Sequence, residues 1–561
     1  MARHNATWVL GISASHNGAV CLLRDDEIVV AVQEERLSRF KRHRIHGSEA
    51  SRALAYCLDY AGITPDDLSL AVVCLQGRAR DAENAVEANP ALGRARGRVP
   101  TLLIPHHLGH AVSAFATSGF ADAAVLVVDG AGSPFEDLSE DERAVVRNQV
   151  EDGWETISLY AASGTSVVPL EKHVVERGGW YRPRAAGMAD FGSLGGMFSS
   201  VAAQVFSDPS EAGKVMGLAP YGAASIPARS FFRVEDGRFR FLGDVPSMFG
   251  YGERWPARRE EYANLAASVQ AALEVAILHL VGRLRELCPS ANLCYAGGVA
   301  LNSVANERVI RESGFREVHI PPAAEDSGPA IGAAYYGLWR LTGHNARRRL
   351  IHDACGRPYS RRAVSAAAEK FAPRVQTHTP DDVIAEAVER LCAGQIIGWF
   401  DGGSELGPRA LGQRSILCDP RRHDAKEILN LRVKRREPFR PFAPVVPVED
   451  VGDWFELEGA PRESPFMLRV CGFKEEKAER VPAVVHADGT GRVQTVTRAA
   501  NGRFYELVRK FGGATGVPVL LNTSFNVMGE PIVETPEDAL ACLLDSGLDC
   551  CVFEDRIVSK S

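Results

Sequence analysis

The chain has 561 residues, 45% hydrophobic and 24% charged, which is enough apolar side chain for two or three packed domains. Its formal net charge of −7 argues against a general nucleic-acid binder, and no apolar run reaches the roughly 20 residues of a membrane span. Twelve cysteines without a Cys-x-x-Cys pair indicate neither a disulfide framework nor a thiolate zinc site, and with no signal-peptide pattern they favour a reducing cytoplasm.

The first 75 residues alternate between predicted strands and a helix. Three strands are expected, at Trp8–Ser13, Ala19–Leu23 and Glu27–Gln33. A helix over Ser48–Gly62 and a strand at Leu70–Leu75 follow, which is an α/β pattern. His16 lies in the first turn, where a neutral imidazole can act as a general base, although a turn histidine is more often structural or solvated.

The next informative run contains two histidines four residues apart. On a helix, this spacing puts His106 and His110 on one face, close enough for both to ligate one metal ion. Apolar residues 123–128 then predict a strand that ends at Asp129-Gly130, where small residues let backbone NH groups approach phosphate. This strand and glycine turn repeat the design seen at the start of the chain, which suggests a duplicated core. A metal site beside a nucleotide site is therefore the first hypothesis.

Two histidines alone supply too few ligands for a first-row metal, which usually takes three or four nitrogen or oxygen atoms. Asp129 at a strand end and Asp326 before a predicted helix are the candidate carboxylates. Other interpretations are a buried His106 bonded to a carbonyl, an ordinary helical His110, and an Asp326 that only caps its helix.

Between residues 187 and 222 the chain becomes rich in Gly, Ser and Met. This composition, which includes the pair Gly213-Lys214, is typical of loops that contact a substrate.

A second candidate nucleotide loop follows a long helix predicted from Tyr262 to Cys288. A strand at Leu293–Ala296 leads into Gly297-Gly298 and a helix from Asn302, an arrangement that can cradle a phosphate.

The polar and charged stretch near residues 345–360 marks a domain boundary. A fresh α/β pattern begins after it, with a helix at Pro380–Ala393 and a strand at Ile396–Phe400. We therefore expect two domains, residues 1–350 and 351–561.

A basic segment stands out in the second domain. From Glu405 to Arg440 there are ten Lys or Arg against five Asp or Glu. Arg409 is surrounded by small residues, and Arg440 is held between phenylalanines and prolines, so rigid neighbours limit the entropy lost in aiming it. A solvated helix face is the ordinary reading of a charge run, but these motifs favour a pocket for a multiply charged anion.

Arg492 adds another cation further along, before a predicted strand that ends in polar residues. Asn522 and Ser524 at that strand end can satisfy a small planar group such as a carbamoyl NH₂ and C=O. The alternative is a turn with Asx hydrogen bonds.

Taken together and in order, the motifs resemble the O-carbamoyltransferases of antibiotic and nodulation-factor biosynthesis. They are His106-x-x-x-His110, Asp129-Gly130, Gly213 to Ala219, Gly297 to Asn302, Glu325 to Gly328, Gly407 to Gly412, Phe439 to Phe442 and Leu521 to Asn526. The resemblance extends from about residue 8 to 535.

The resemblance implies an N-terminal domain of the actin-like ATPase fold, a duplicated ribonuclease-H-like α/β architecture similar to the tRNA threonylcarbamoyltransferase. The C-terminal domain is expected to be α/β and YrdC-like. By resemblance, the C-terminal domain makes carbamoyl adenylate from carbamoyl phosphate and ATP, releasing phosphate and pyrophosphate. The N-terminal domain then transfers the carbamoyl group to a hydroxyl of a natural-product acceptor.

The resemblance also assigns roles to the candidate residues. The metal ligands are His106, His110, Asp129 and Asp326, with iron(II) the expected ion and Mg(II) accompanying ATP. The catalytic residues are His16, Lys434 and Arg440. The carbamoyl phosphate and nucleotide pocket of the second domain contains Arg409, Arg492, Asn522 and Ser524. The first domain contacts nucleotide through Gly130, Gly213, Lys214, Gly297, Gly298 and Asn302. Residues 16–20 read His-Asn-Gly-Ala-Val and depart from the longer His-x-x-Ser-x-Ala form.

Two other functions compete with this interpretation. One is an ATP-dependent sugar kinase of the actin-like fold, which leaves the basic second domain unexplained. The other is a tRNA-modifying factor, which the acidic net charge disfavours. The expected partners are a small-molecule acceptor and a second copy of the chain in a homodimer, with no nucleic acid and no membrane. The acceptor, whether macrolide, aminoglycoside, β-lactam, ansamycin or sugar, is not specified by the sequence.

Overall fold

The computed structural model describes residues 6–45, 50–77, 99–147, 153–176, 191–242, 253 and 255–561. Residues 187–190 of the Gly-, Ser- and Met-rich stretch lie outside this range, as do residues 48 and 49 of the first predicted helix. The chain divides into two compact units. The first comprises Met1–Glu34 and Arg42–Leu350, and the second comprises Glu35–Lys41 and Ile351–Ser561. The segment Glu35–Lys41 therefore belongs to the second unit, although the single boundary expected from composition would place it in the first.

Two five-stranded sheets with the same strand order form the core of the first unit. The strands are β1 (Trp8–Ala14), β2 (Ala19–Arg24), β3 (Glu27–Gln33), β4 (Leu70–Leu75), β5 (Thr101–Pro105), β6 (Asp122–Val128), β7 (Trp154–Ser163), β8 (Ser166–Val175), β9 (Phe232–Glu235), β10 (Arg238–Phe241), β11 (Asn292–Ala296) and β12 (Glu317–His319). The orders are β3-β2-β1-β4-β5 and β8-β7-β6-β11-β12, and the other two strands, β9 and β10, form a separate antiparallel pair. In each sheet three strands form an antiparallel meander, and two more extend the sheet in parallel from the first strand. This repeat confirms the duplicated ribonuclease-H-like fold.

Close packing between helices and the first sheet positions the candidate site of the first unit. The helices are α1 (Glu34–Ser38), which passes into the second unit, α2 (Arg52–Ala61), α3 (His106–Ser118), α4 (Glu140–Ala144), α5 (Leu194–Phe206), α6 (Ala212–Leu218), α7 (Arg259–Leu287), α8 (Ser303–Glu312) and α9 (Pro329–Thr342). A Cβ on Gly11 of β1 would lie 2.0 Å from the carbonyl oxygen of Ala330 in α9. A Cβ on Gly332 of α9 would lie 1.9 Å from the carbonyl oxygen of Gly109 in α3. Glycines thus let α9 approach both β1 and α3.

Helix α7 is long and apolar enough, by composition, to cross a membrane. It is mostly buried inside the first unit, with residues such as Leu265, Ile277 and Leu284 no more than 1% exposed. Such burial is that of a core helix, so length and hydropathy do not indicate a span here.

A mixed nine-stranded sheet forms the second unit. The strands are β13 (Val375–His378), β14 (Ile397–Phe400), β15 (Arg414–Cys418), β16 (Ala443–Pro447), β17 (Arg469–Gly472), β18 (Thr490–Val496), β19 (Leu520–Ser524), β20 (Cys550–Val552) and β21 (Ile557–Lys560). Their order is β13-β21-β20-β14-β15-β19-β16-β18-β17, with parallel pairs only at β14/β20 and β16/β18 among the described strands. The predicted strand at residues 396–400 is confirmed as β14.

Side chains of this sheet alternate between two cores, one on each face. Leu417, Val445 and Leu520 belong to one cluster, whereas Ile416, Val446 and Leu521 belong to the other. This alternation follows from the two-residue period of a strand. The helices are α10 (Arg361–Phe371), α11 (Val383–Cys392), α12 (Ala425–Ile428), α13 (Val451–Trp454), α14 (Glu475–Ala478), α15 (Gly502–Thr515) and α16 (Pro536–Asp545). Because α11 and α15 cover one face and α10 and α16 the other, the unit is α/β.

Candidate metal centre and anion site

Four buried side chains of the first unit converge: His106, His110, Asp129 and Asp326. The Nε2 atoms of the two histidines lie 3.1 Å apart. From His106 Nε2 the distances to Asp129 Oδ2 and Asp326 Oδ1 are 3.2 and 3.3 Å. From His110 Nε2 both corresponding distances are 3.5 Å. Atoms bonded at about 2.0–2.2 Å to one first-row ion lie about 3.0–3.5 Å apart, so this set fits a single ion.

Secondary structure explains how these four residues meet. His106 is the first residue of α3 and His110 follows one turn later, so their side chains share a face of the helix. Asp129 directly follows β6, and Asp326 lies in the loop that leads into α9. The close approach of α9 to α3 brings the second aspartate to the histidines.

Electrostatics also favour a cation at this point. Burial and the Asp326 charge favour the neutral form of Asp129, but hydrogen bonds with His106 and His110 hold the pKa of Asp129 at about 2. Two ionised carboxylates in a dry site repel each other unless positive charge balances them. Two imidazole nitrogens and two carboxylate oxygens are a donor set that suits a divalent first-row metal.

A buried network that sequence reasoning missed fixes the N-terminus of α3. Glu155 Oε1 accepts hydrogen bonds from the backbone NH groups of His107 and Ser133, both at 3.0 Å. Ser133 Oγ accepts from the backbone NH of His106 at 2.9 Å. The other Glu155 oxygen pairs with the fully buried ammonium of Lys172. Since the residue before α3 is a proline with no capping side chain, these groups satisfy the first free NH groups of the helix.

His16 lies beside the metal cluster. Its Nδ1 atom is 3.0 Å from Asp326 Oδ2 and 2.9 Å from Gln76 Oε1. Gln76 Nε2 in turn donates to the carbonyl of Ala131 at 2.9 Å, which fixes Oε1 as the atom that faces the ring. The ring nitrogen between two oxygen acceptors is therefore the protonated one, and Nε2 of His16 is the basic nitrogen.

The glycines predicted around Asp129 bring backbone close to that carboxylate. Gly130 N donates to Asp129 Oδ1 at 2.7 Å. Gly297 has a φ of 95°, and a Cβ there would lie 2.2 Å from the carbonyl oxygen of Val128. A Cβ on Gly298 would lie 3.0 Å from Asp129 Oδ1. A side chain at either position would crowd the site.

The other nucleotide candidates of the first unit have structural contacts of their own. Asn302 caps α8 through the NH of Ala305 and exchanges two hydrogen bonds with Gln270, at 3.0 and 2.8 Å. Lys214, one residue after Gly213 in α6, pairs with Glu211 at 3.2 Å. A contact of 3.8 Å from Ser303 Oγ of α8 to Met216 Sδ of α6 brings the two helices together.

Four arginines of the second unit form a mutually repelling cluster. Burial, followed by Arg440, lowers the pKa of Arg409 to about 10 and that of Arg436 to about 9, the latter against an opposing Glu437. Burial and then the other three arginines lower the pKa of Arg492 well below its usual range. The buried Nε atoms of Arg409 and Arg492 have no hydrogen-bond partner among the described residues. Such a concentration of cations requires an anion.

Lys434 stands apart in how its charge is used. Its Nζ donates to Ser524 Oγ at 3.1 Å and to Asn526 Oδ1 and backbone oxygen at 2.7 and 2.9 Å. Burial lowers the pKa of the Lys434 amino group well below its usual range. Its hydrogen bonds fix the chain at the end of β19, where Ser524 Oγ also donates to Asn526 Oδ1 at 2.7 Å.

Asn522 and the unpredicted Gln494 hold the loop that carries Arg409. Asn522 Nδ2 donates to Gln494 Oε1 at 2.7 Å and to the carbonyl of Ala410 at 3.1 Å. Gln494 Nε2 donates to the carbonyl of Leu411 at 2.8 Å. The Oδ1 atom of Asn522 is buried with no partner among the described residues, which leaves an acceptor for a bound group.

Arg414, which follows Arg409 in the basic segment from Glu405 to Arg440, is structural. Its guanidinium lies 3.6 Å over the Phe400 ring and donates to the carbonyls of Asp401, Gly402 and Glu534. Saturated with carbonyl acceptors, it does not belong to the anion cluster.

Comparison with known proteins agrees with the architecture. The family model described as carbamoyltransferase N-terminus matches residues 8–88 and 83–335, and the one described as carbamoyltransferase C-terminus matches residues 388–560. The chain is 34% identical to protein sll1178 of Synechocystis, over 99% of this chain and 97% of that protein. It is also 34% identical to nodulation protein NolNO of Sinorhizobium fredii, over 97% of this chain and 79% of that protein.

A remote likeness extends to a solved structure of full-length HypF in a phosphate- and nucleotide-bound form. The TM-score is 0.38 and the identity 12%, over 61% of this chain and 56% of that one. The two family models cover most of the chain, and the relatives align over nearly its full length. This chain belongs to the carbamoyltransferase family.

Proposed function

We propose that this chain is an ATP-dependent O-carbamoyltransferase working in two steps. The second unit forms carbamoyl adenylate from carbamoyl phosphate and ATP, and the first unit transfers the carbamoyl group to a hydroxyl of a natural-product acceptor. The observation that carries the proposal is the presence of two sites with different ligand preferences. A cluster of arginines in the second unit suits anions, and a buried His₂Asp₂ set in the first unit suits a metal cation.

In the first step, water hydrolyses carbamoyl phosphate to carbamate and phosphate. A carbamate oxygen then attacks the α-phosphorus of ATP, and pyrophosphate leaves as the new P–O bond forms. Carbamoyl phosphate, ATP, phosphate and pyrophosphate are multiply charged anions, and carbamate carries one negative charge. The guanidinium groups of Arg409, Arg440 and Arg492 bind them. Asn522 Oδ1 can accept from the carbamoyl NH₂.

In the second step, the acceptor oxygen attacks the carbamoyl carbon and the C–O bond to AMP breaks. His16 takes the hydroxyl proton at Nε2, because its Nδ1 donates to Gln76. His106, His110, Asp129 and Asp326 would hold a divalent ion, iron(II) in this proposal, which when bound supplies Lewis-acid stabilisation of leaving-group charge. Gly297 and Gly298 keep side chains out of the space next to Val128 and Asp129, and in this proposal the adenylate phosphate binds on that side of Asp129.

Further expectations complete the proposal. The enzyme works in the cytoplasm, in line with twelve cysteines that are all free thiols. Its partners are ATP with Mg(II), carbamoyl phosphate and a small hydroxylated acceptor from a pathway such as antibiotic biosynthesis. It binds neither nucleic acid nor a membrane and forms a homodimer.

Incubation of the purified protein with carbamoyl phosphate, ATP and a panel of hydroxylated natural products tests the proposal. We expect AMP, pyrophosphate and phosphate, together with an acceptor whose mass rises by one carbamoyl group. Formation of ADP with a phosphorylated acceptor would instead identify a kinase. Carbamoyl transfer that requires no ATP would contradict the adenylate step.

A further inference from the structure

Seven residues near the N-terminus belong to the second unit. Strand β3 ends at Gln33 in the first unit, and the chain then contributes Glu35–Lys41 to the second unit before it returns at Arg42. The segment begins within the short helix α1. Its Arg36 side chain is among the largest fully buried ones, with 1% exposure. A buried arginine at this location calls for a specific partner.

Arg36 contacts the loop that carries Arg409. Its Nη2 donates to the carbonyl oxygen of Gly407 at 2.8 Å, across 371 residues of sequence. Gly407 has a φ of 118°, which favours glycine, and its carbonyl lies two residues before Arg409. Burial lowers the pKa of Arg36, and nearby Glu405 is one of the carboxylates that oppose this shift.

The same loop is fixed from its other side. Asn522 Nδ2 bonds the carbonyl of Ala410 at 3.1 Å, so Arg409 lies between two restrained carbonyls. Glu405 Oε1 accepts from the backbone NH groups of Leu411, Gln413 and Arg414 at 2.8, 2.8 and 3.1 Å. The bond from Arg36 holds the stretch just before Arg409.

The restraint matters because Arg409 is held among like charges. Repulsion from Arg440 and Arg492 pushes the Arg409 side chain out of the cluster, and a free loop would relax in that direction. A hydrogen bond from a charged donor is among the stronger ones available to oppose this.

We propose that Arg36 is a positioning residue for carbamoyl adenylate formation, which holds Arg409 in the anion site through the Gly407 carbonyl. The inference rests on the proposed function. It adds that the activating unit is incomplete without residues from the N-terminal part of the chain.

Arg39 provides a matched control from the same segment. It donates to the carbonyls of Pro531 and Ile532 at 2.9 and 2.8 Å, and not to the Gly407 loop. Arg36→Lys and Arg39→Lys each keep the positive charge and shorten the side chain. They differ only in the bond that is lost, which goes to the Gly407 loop for Arg36 and to Pro531 and Ile532 for Arg39.

The test uses the full-length protein without acceptor and measures pyrophosphate release dependent on carbamoyl phosphate. We expect Arg36→Lys to raise the KM for carbamoyl phosphate by about tenfold or more, since a misplaced binding group costs about that much. Arg39→Lys should stay within about twofold of wild type. The melting temperature of the full-length protein, measured for both variants, reports whether the second unit is still folded. If Arg36→Lys does not fold, Arg36→Gln, which keeps one amide donor, replaces it.

A double variant separates positioning from general weakening. Adding Arg36→Lys to Arg409→Ala should change the KM no further, because Arg36 acts through Arg409. A wild-type KM in Arg36→Lys, or effects of the two substitutions that multiply, would overturn the inference.

Calorimetry with inorganic phosphate distinguishes failure of the inference from failure of the proposed function. If wild type releases no pyrophosphate, the proposed function fails, yet Arg36→Lys should still bind phosphate more weakly than Arg39→Lys. Equal phosphate binding by the two variants would contradict the inference alone.

Discussion

At the scale of single residues, the orientation of His16 depends on Gln76, whose carboxamide accepts from Nδ1 and donates to the Ala131 carbonyl. We predict that Gln76→Met lowers the rate of carbamoyl transfer by about tenfold or more, because the His16 ring keeps only its Asp326 contact and is less well oriented as a general base. Pyrophosphate release without acceptor should be unchanged. The rates of both half-reactions and the bound iron content are the measurements.

Gln376→Met, at an exposed position of β13, is the control for this substitution and should affect neither half-reaction. Equal loss of both half-reactions in Gln76→Met would indicate misfolding instead of lost orientation. Full transfer activity would show that Gln76 does not orient the base.

The arginine cluster leads to a second prediction at the same scale. Inorganic pyrophosphate should stabilise the second unit of the wild-type protein and raise its melting temperature. At a hundredfold excess over Kd, the free energy of unfolding should rise by about 2.7 kcal/mol. Arg492→Met should abolish that rise and leave the ligand-free protein at least as stable as wild type, because it removes one of four repelling charges. Arg498→Met, at an exposed position, should retain the rise. A ligand-free Arg492→Met that melts well below wild type would contradict the repulsion argument.

Only some of the residues that form the two candidate sites could be predicted from the sequence. The His106 and His110 pair could be predicted because a four-residue spacing has a fixed meaning on a helix. Gln76 and Gln494 could not, since a lone glutamine carries no pattern and each acquires its role from a partner far along the chain. Lys434 was predicted for its charge, but its hydrogen bonds to the 524–526 loop depend on tertiary structure.

At the scale of elements, α3 depends on the buried Lys172, which pairs with Glu155 and with Glu142 at 3.1 Å. We predict that Lys172→Met destabilises the first unit by about 3–5 kcal/mol, because it leaves buried carboxylates without a partner. Metal binding should weaken as well, since Glu155 holds the NH groups at the start of α3. The free energy of unfolding of the first unit is measured by urea denaturation, with hydrogen exchange of its amide groups as the probe.

Arg240→Met provides the comparison, because its pair with Glu235 is exposed and joins β9 to β10 away from α3. It should cost no more than about 1 kcal/mol. If both variants lost the same small amount, the buried network would not support the helix.

Elements were predicted best where hydrophobic periodicity is local. The first three strands and β14 follow from short apolar runs bounded by turn residues, and helix α2 follows from amphipathic spacing. The pairing of β6 with β11 could not be read the same way, because more than 160 residues separate them and neither strand identifies its neighbour. The duplicated order of the two sheets became visible only in that pairing.

At the scale of the whole molecule, the composition break near residues 345–360 lies where the second unit resumes at Ile351. Composition could not reveal that Glu35–Lys41 also belongs to that unit, since the segment is short and its partners are hundreds of residues away. A truncated protein that starts at residue 351 would therefore lack part of the second unit.

The proposed division of the reaction between the two units leads to the last prediction. His106→Ala removes a ligand of the metal set and should abolish carbamoyl transfer while it leaves pyrophosphate release within about twofold of wild type. Arg440→Ala should abolish pyrophosphate release, and with it transfer, while iron(II) binding remains, because charge-assisted contacts to phosphate hold the substrates. Chelation of the wild-type protein should reproduce the His106→Ala pattern, and iron(II) should restore transfer best. Parallel loss of both half-reactions in the two variants would mean that one site performs both steps, which would contradict the assignment of activation to the arginine cluster.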